Sequence, residues 1–227
     1  MKKIIVYIDA GHGGMNPITG KYMTAPQWGK YYEFEPQGKE KGFTVYEGEI
    51  NRKIANFFAE LLQEENIPFR FISHEFQDFS LSHRCFLANQ YFAEDQRKGL
   101  QPVLMSFHSN AFGNNAKGKG ETPRGFSVWT TRGLTESDKI AQIWFEETKK
   151  LCKNTITYRE DLSDKDSDWE ENFTILAGTV MPAVLVENLF FTNREDAKLL
   201  LSEAYQKTSA LAALNTIKTY QNGKEKK

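Results

Sequence analysis

Four residues of the types that hold a metal or move a proton each stand beside a segment able to fix them: His12, Glu47, His108 and Glu187. His12 follows a short apolar run, within Asp9-Ala10-Gly11-His12-Gly13-Gly14, where the glycines let the backbone turn sharply. His108 follows a second apolar run, within Ser106-Phe107-His108-Ser109-Asn110. Glu187 ends a third, Ala183-Val184-Leu185-Val186-Glu187; an ionisable group there, if buried, has to be paired, metal-adjacent or functional. A hydrolytic zinc site draws three ligands from His, Glu and Asp, keeps one position open, and needs a further carboxylate to handle a proton. Read singly, each residue has a plainer role. Glu47 favours a helix start through the dipole, and a lone His beside a Gly-rich turn is usually structural or on the surface. The combination is what points to metal-assisted hydrolysis.

The elements that must position these groups are a series of short β-branched or aromatic runs alternating with helical periodicity. That alternation predicts a single α/β domain with a mainly parallel sheet and helices on its faces. Residues 4–8, 68–72, 102–107, 125–130 and 180–187 read as strands. Residues 49–65 carry apolar side chains at helical spacing (Ile50, Ile54, Phe57, Phe58, Leu61, Leu62), Ser80 or Ser82 caps a helix to about 97, and Thr135 caps one to about 153. His12 and His108 then sit just past the carboxyl ends of parallel strands, the edge where open α/β sheets place their ligand sites. Two segments lie outside the pattern. Residues 15–46 have no helical or strand period, hold Trp28, Tyr31, Tyr32 and Phe34, and read as a long functional loop. Residues 158–171 are dense in Asp and Glu and read as a solvated acidic loop.

These motifs, taken in order, resemble the zinc-dependent N-acetylmuramoyl-L-alanine amidases of the type 3 cell-wall class, along nearly the whole chain. Ile8-Asp9-Ala10-Gly11-His12-Gly13-Gly14 is similar to that family's first metal-ligand motif, and Glu47-Gly48-Glu49-Ile50-Asn51 to its glutamate motif, in a register that selects Glu47 over Glu49. Leu81-Ser82-His83-Arg84 with Ala88-Asn89 is similar to a family helix, Ser106 to Ala111 to the second histidine motif, and Met181 to Glu187, continued by Phe190 and Asn193, to the strand that presents the catalytic glutamate. The resemblance implies a twisted, mostly parallel sheet flanked by helices in three layers, and Zn2+ held by His12, Glu47 and His108. It implies peptidoglycan as substrate, with Glu187 as base and then acid in cleaving the amide between N-acetylmuramic acid and L-Ala. It assigns His74 and His83 no ligand role. Around that centre Asp9 is a candidate to orient His12, or else serves the turn, and Asn51 follows Glu47 by one helical turn. Trp28, Tyr31, Tyr32 and Asn110 are candidates for substrate contact, the aromatic set being either a sugar platform or a small satellite core. Where the family has a Gly before the Phe, Leu189 stands, so the turn beneath the site is expected to be shaped differently.

At 227 residues the chain suits one domain, expected to span 1–222, with a polar tail at 223–227. A hydrophobic fraction of 40% and a charged fraction of 26% exclude a disordered chain, and a net charge of −1 offers nucleic acid no electrostatic handle. Cys85 and Cys152 lie in helical stretches and read as reduced packing residues rather than a disulfide. No apolar run reaches the length of a membrane span, and the amino-terminal one is too short for a signal peptide. Action on the wall would then follow lysis-type release, as in an endolysin, or export by another route; oligomeric state has no sequence signal. Two rivals carry their own signs: a zinc peptidase or carboxypeptidase acting within the stem peptide would need the same centre, and a non-catalytic wall-binding or activator protein would tolerate its loss.

Overall fold

Seven residues of unbroken apolar character around one aspartate, Ile4–Ala10 (β1), are buried from end to end, as expected of a strand covered on both faces. In the computed structural model, which describes residues 3–25, 29–113, 117–118, 123–163 and 165–225, β1 lies inside a six-stranded sheet. It pairs in parallel with Phe69–Phe71 (β4) on one side and Gln101–Asn110 (β5) on the other. Strand β5 pairs in parallel with Ala183–Phe190 (β9), β9 pairs antiparallel with Ser127–Thr130 (β7), and β7 pairs with Trp169–Glu170 (β8), giving the order β4-β1-β5-β9-β7-β8. The antiparallel β7 and the short β8 are the departures from an all-parallel sheet.

Because side chains alternate across a strand, β1 feeds two cores. Ile4, Val6 and Ile8 enter a large core with the apolar faces of Glu47–Glu64 (α1), Glu136–Cys152 (α3), Arg194–Leu201 (α5) and Glu203–Glu225 (α6). Ile5 and Tyr7 enter a smaller core with Leu81–Arg97 (α2) and Thr174–Ala177 (α4). This is the three-layer single domain expected. Ser80 accepts from His83 N at the start of α2, and Thr135 and Asp138 close a capping box on α3. Helix α6 continues to Glu225, beyond the boundary expected at 222. Both cysteines are buried and free, and among the described residues no helix is long and apolar enough to cross a membrane.

The segment 15–46 is not the structureless loop expected. Tyr31–Phe34 (β2) and Phe43–Tyr46 (β3) form an antiparallel hairpin, and β2 also pairs with Lys117–Gly118 (β6) in a second, three-stranded sheet. Tyr32 and Phe34 point into the large core, while Arg194 donates to the Glu35 carbonyl and lies over the rings of Phe34 and Phe43, at 5.1 and 5.5 Å from their centroids. Helix α1 starts immediately after β3, so the hairpin fixes where Glu47 stands.

The acidic stretch also differs from expectation. Asp168 is only 2% exposed and accepts from Thr130 Oγ1 at 2.6 Å, because β8 docks against β7 and carries it inward. Burial, opposed by the Thr130 bond and reinforced by Asp166 and Asp138, pushes its carboxyl up to about 7. The folded chain therefore holds this proton more tightly than the unfolded chain, whose carboxyl titrates near 3.8. The associated stability is complete below the lower value and is lost as pH rises through the upper one. Asp168→Asn, which cannot ionise, should gain in melting temperature over the parent progressively between pH 4 and pH 8; a gap that stays constant or narrows over that range would count against the burial argument.

Candidate metal centre and catalytic cleft

Strands β1, β5 and β9 run in the same direction, so the turn after β1 and the residues lining the far ends of β5 and β9 gather at one rim of the sheet. His12 lies two residues past β1, while His108 and Glu187 sit within β5 and β9 as direct cross-strand partners. Both strands run further than expected: β5 to Asn110 and β9 to Phe190. Their pairing shifts register after His108, where two residues of β5 face three of β9. In that bulge Leu189 takes a left-handed backbone, φ 61°, with its side chain fully buried. This is the conformation a glycine supplies at such a bulge, and a residue with a Cβ adopts it at about 1–2 kcal/mol of strain. Leucine thus bears, in a left-handed backbone, a strain that a glycine there would not.

The donor atoms of His12, Glu47 and His108 all lie within 4.8 Å of one another, and the two rings stand nearly perpendicular with centroids 5.0 Å apart. Glu47 Oε1 is 3.1 Å from His108 Nδ1 and 3.3 Å from His12 Nε2, and accepts from Ser109 N at 3.3 Å and Asn51 Nδ2 at 3.4 Å. Burial alone would raise the Glu47 carboxyl, but His12, His108 and Lys30 outweigh it and hold it well below the usual range. Burial holds His12 below the ordinary imidazole value, so this ring is the neutral form a metal requires. For His108 burial pulls down as well, yet the Glu47 hydrogen bond and charge prevail and raise it. Glu187 is half-buried, with an Oε2 that is buried and has no hydrogen-bond partner among the described residues; desolvation, reinforced by Glu47 and opposed by His108 and Lys30, pushes it up to about 7.

Close approach accounts for two glycines of the motifs. A Cβ on Gly11 would meet the His108 ring at 2.2 Å, and one on Gly48 would meet the Gly13 carbonyl oxygen at 1.9 Å. His12 itself has φ 61° and is held by two buried guanidiniums. Arg84 Nη2 donates to its carbonyl at 3.0 Å and Arg52 Nη2 at 2.6 Å, and Arg52 further binds the carbonyls of Gly11, Gly48, His74 and Glu75. Burial lowers Arg52 to about 10.

Several expected roles are corrected. Asp9 does not bond to His12: its carboxylate takes Arg84 Nη1 at 2.7 Å and Ser106 Oγ at 2.7 Å, and so serves the turn through Arg84. Asn51 does touch Glu47 as its spacing suggests, and also binds Gly11 O and Ser109 Oγ. Trp28 lies outside the described residues. Tyr32, 5% exposed, packs on Phe34 in the large core, and the half-buried Tyr31 stacks on Tyr46, which places both rings outside the lining of the cleft. The Asn110 side chain turns back to accept from Ala111 N. Among the described residues, the cleft at this rim, about 810 Å³, is lined by none of those three but by His12, Lys30, Arg84, His108 and Glu187, with Phe79, Leu81, Phe173, Ile175 and Leu185 as an apolar wall. His74 accepts from Phe76 N and Gln77 N, and His83 meets Phe79 edge-on, both apart from the metal-ligand cluster. Arg52 and Lys30 escaped the sequence reading. The faint signal for Arg52 is a cation wedged between the inward-facing Ile50 and Ile54; for Lys30 there is none.

With this geometry in hand, a family model described as N-acetylmuramoyl-L-alanine amidase matches residues 6–219. The chain belongs to that family. It is 25% identical to an N-acetylmuramoyl-L-alanine amidase of Clostridium difficile 630, with a TM-score of 0.72 and 98% of each chain covered. The catalytic domain of CwlV, from Bacillus (Paenibacillus) polymyxa var. colistinus, superposes with a TM-score of 0.67 at 21% identity over 98% and 99% of the chains, a likeness of fold. A Bacillus subtilis (strain 168) protein, YqiI, whose function is uncharacterised, is 26% identical over 217 residues, 95% of this chain and 84% of its own. Family membership makes this an enzyme that hydrolyses the amide between N-acetylmuramic acid and L-Ala in peptidoglycan, and sets aside both the stem-peptide peptidase and the non-catalytic wall binder.

Proposed function

We propose that this amidase works as a zinc enzyme in which His12, Glu47 and His108 hold the ion, Glu187 moves the proton, and residues 1–222 form the catalytic unit. The observation that carries the reading is the cluster itself: two imidazoles and a carboxylate converging within 4.8 Å, beside a second carboxyl, that of Glu187, whose Oε2 has no hydrogen-bond partner among the described residues. The donors fit zinc by type and number, and His12 Nε2 and Glu47 Oε2 are buried without a hydrogen-bond partner among the described residues, a state that a cation relieves. When bound there, zinc supplies Lewis acidity toward the scissile carbonyl and toward water.

The chain's own residues do the rest. Glu187, kept basic by its apolar surroundings, takes the attacking water's proton and returns it to the leaving alanine nitrogen. Asn51 and Ser109 N hold Glu47, and Arg52 and Arg84 hold the His12 turn, so the donors are preorganised before any ligand arrives. Phe79, Phe173 and Ile175 exclude water from one side of the cleft and present an apolar wall to the substrate.

The test is metal content and its removal. Purified protein should carry close to one zinc per chain by elemental analysis; chelation should abolish release of N-terminal alanine from sacculi, and added zinc should restore it. His12→Ala should retain the fold by circular dichroism and bind no zinc. Full turnover in the chelated protein would end the zinc reading.

A further inference from the structure

We propose that Lys30 sets substrate specificity in the cleft by gripping a carboxylate of the stem peptide close to the scissile amide. Lys30 comes from the segment between the first two metal-ligand candidates, yet its Nζ reaches to 3.6 Å from Glu47 Oε2 and lines the cleft with His12, His108 and Glu187. Its backbone is pinned, because its carbonyl accepts from Glu47 N and from Tyr22 Oη, each at 3.0 Å. The side chain is one-third exposed, 32%, and Nζ makes no hydrogen bond among the described residues.

The other cation of the cleft is already engaged. Arg84 donates to Asp9, Asp78 and the carbonyls of Ala10, His12 and Phe79. Lys30 has only the carboxylate of Glu47 facing it at ion-pair distance among the described residues, and Glu47 is the group the metal would use. The inference rests on that metal reading. With zinc in place, the charge of Glu47 is drawn to the ion, and an ammonium is left beside a centre of net positive charge. Glu187 offers one negative charge, which it gives up on taking a proton; of the other carboxylates lining the cleft Asp78 is bound by Arg84 and Glu171 by Arg132, and the wall of Phe79, Phe173 and Ile175 is apolar. An ammonium kept at that position needs an anion from the substrate. The stem peptide offers one: the residue after L-Ala carries a carboxyl that occurs free or capped as an amide, next to the bond being cut.

The experiment compares two soluble muropeptides that differ only in carboxylate against carboxamide at the second stem residue, using the full-length zinc-loaded protein, Lys30→Met and Lys30→Arg. The parent should favour the carboxylate. Lys30→Met should reduce the ratio of kcat/KM values, carboxylate over carboxamide, by about tenfold, through KM, and Lys30→Arg should restore most of it; zinc retention against a chelator should match the parent in both. A parent that treats the two substrates alike overturns the assignment. So does a Lys30→Met variant that loses kcat equally on both or sheds zinc, since Lys30 would then act on Glu47 or on the reacting oxygen. Failure of the metal reading looks different: discrimination through Lys30 that persists without zinc would uphold the carboxylate contact and sink the zinc centre.

Discussion

Glu187→Gln is expected to lower amide hydrolysis in purified sacculi by about 10²- to 10⁴-fold, the range ascribed to a positioned proton-transfer group, while zinc content and the folded structure are retained. Glutamine keeps the shape and removes only the ability to accept a proton. Glu187 is the right group to lose, because it is a half-buried carboxyl pushed up to about 7, standing across from His108 on the neighbouring strand. Its raised value also sets the pH behaviour. In the metal-free protein its protonated form is favoured by folding, so its contribution to stability is present below 4.5, the ordinary value, and is lost as pH rises through about 7. Chelated Glu187→Gln should therefore gain in melting temperature over the chelated parent on going from pH 5 to pH 8. Zinc held by the cluster would lower the carboxyl, and the acidic limb of the parent's rate profile should then lie below pH 7. A variant that releases N-terminal alanine at the parent's rate would remove Glu187 from the chemistry.

Arg84→Ala should be the most destabilising single change near the site, by about 3–5 kcal/mol, the range for removing one partner of a buried ion pair. Asp9 is fully buried and would keep Ser106 while losing its counter-charge; the carbonyls of Ala10 and His12 would lose a donor. Since His12 sits at φ 61° under that guanidinium, the same change should loosen zinc retention. Denaturant unfolding measures the first effect and chelator competition the second. Adding Asp9→Asn should make the double variant less unstable than the sum of the singles, because the stranded charge is gone. A loss under about 1 kcal/mol for Arg84→Ala would mean that water replaces the guanidinium and the turn is held by Arg52 alone.

How much could be read from the residues depends on how far each signal travels along the chain. His12, His108 and Glu187 adjoin apolar runs that can only be covered strands, and parallel strands bring their ends to one rim, so fold and cluster are legible together. Glu47 is ambiguous locally, and its place becomes clear only when helix α1 is seen to start beside the turn of His12. The hairpin at 31–34 and 43–46 is hidden because four residues of alternation are too few to stand out from an aromatic-rich segment. Asp168 reads as solvated because its burial depends on β7, far away in sequence. Lys30 is invisible and Arg52 nearly so for the same reason: a cation on a loop or helix is ordinarily hydrated, whereas carbonyls gathered by the tertiary fold hold Arg52, and the Glu47 carboxylate faces Lys30. Leu189 is the opposite case, a local departure whose position is legible and whose consequence, a left-handed backbone borne by a buried leucine, is not.

The six-stranded sheet ends at one margin in three residues, β4, and at the other in two, β8. Stubs of that length present few unsatisfied amides, so a neighbouring copy finds little to template an added strand. With a net charge of −1, mutual repulsion between copies is weak, and colloidal stability falls to the shape of these margins. The enzyme can then crowd onto an insoluble polymer without the sheet itself becoming a seed for aggregation.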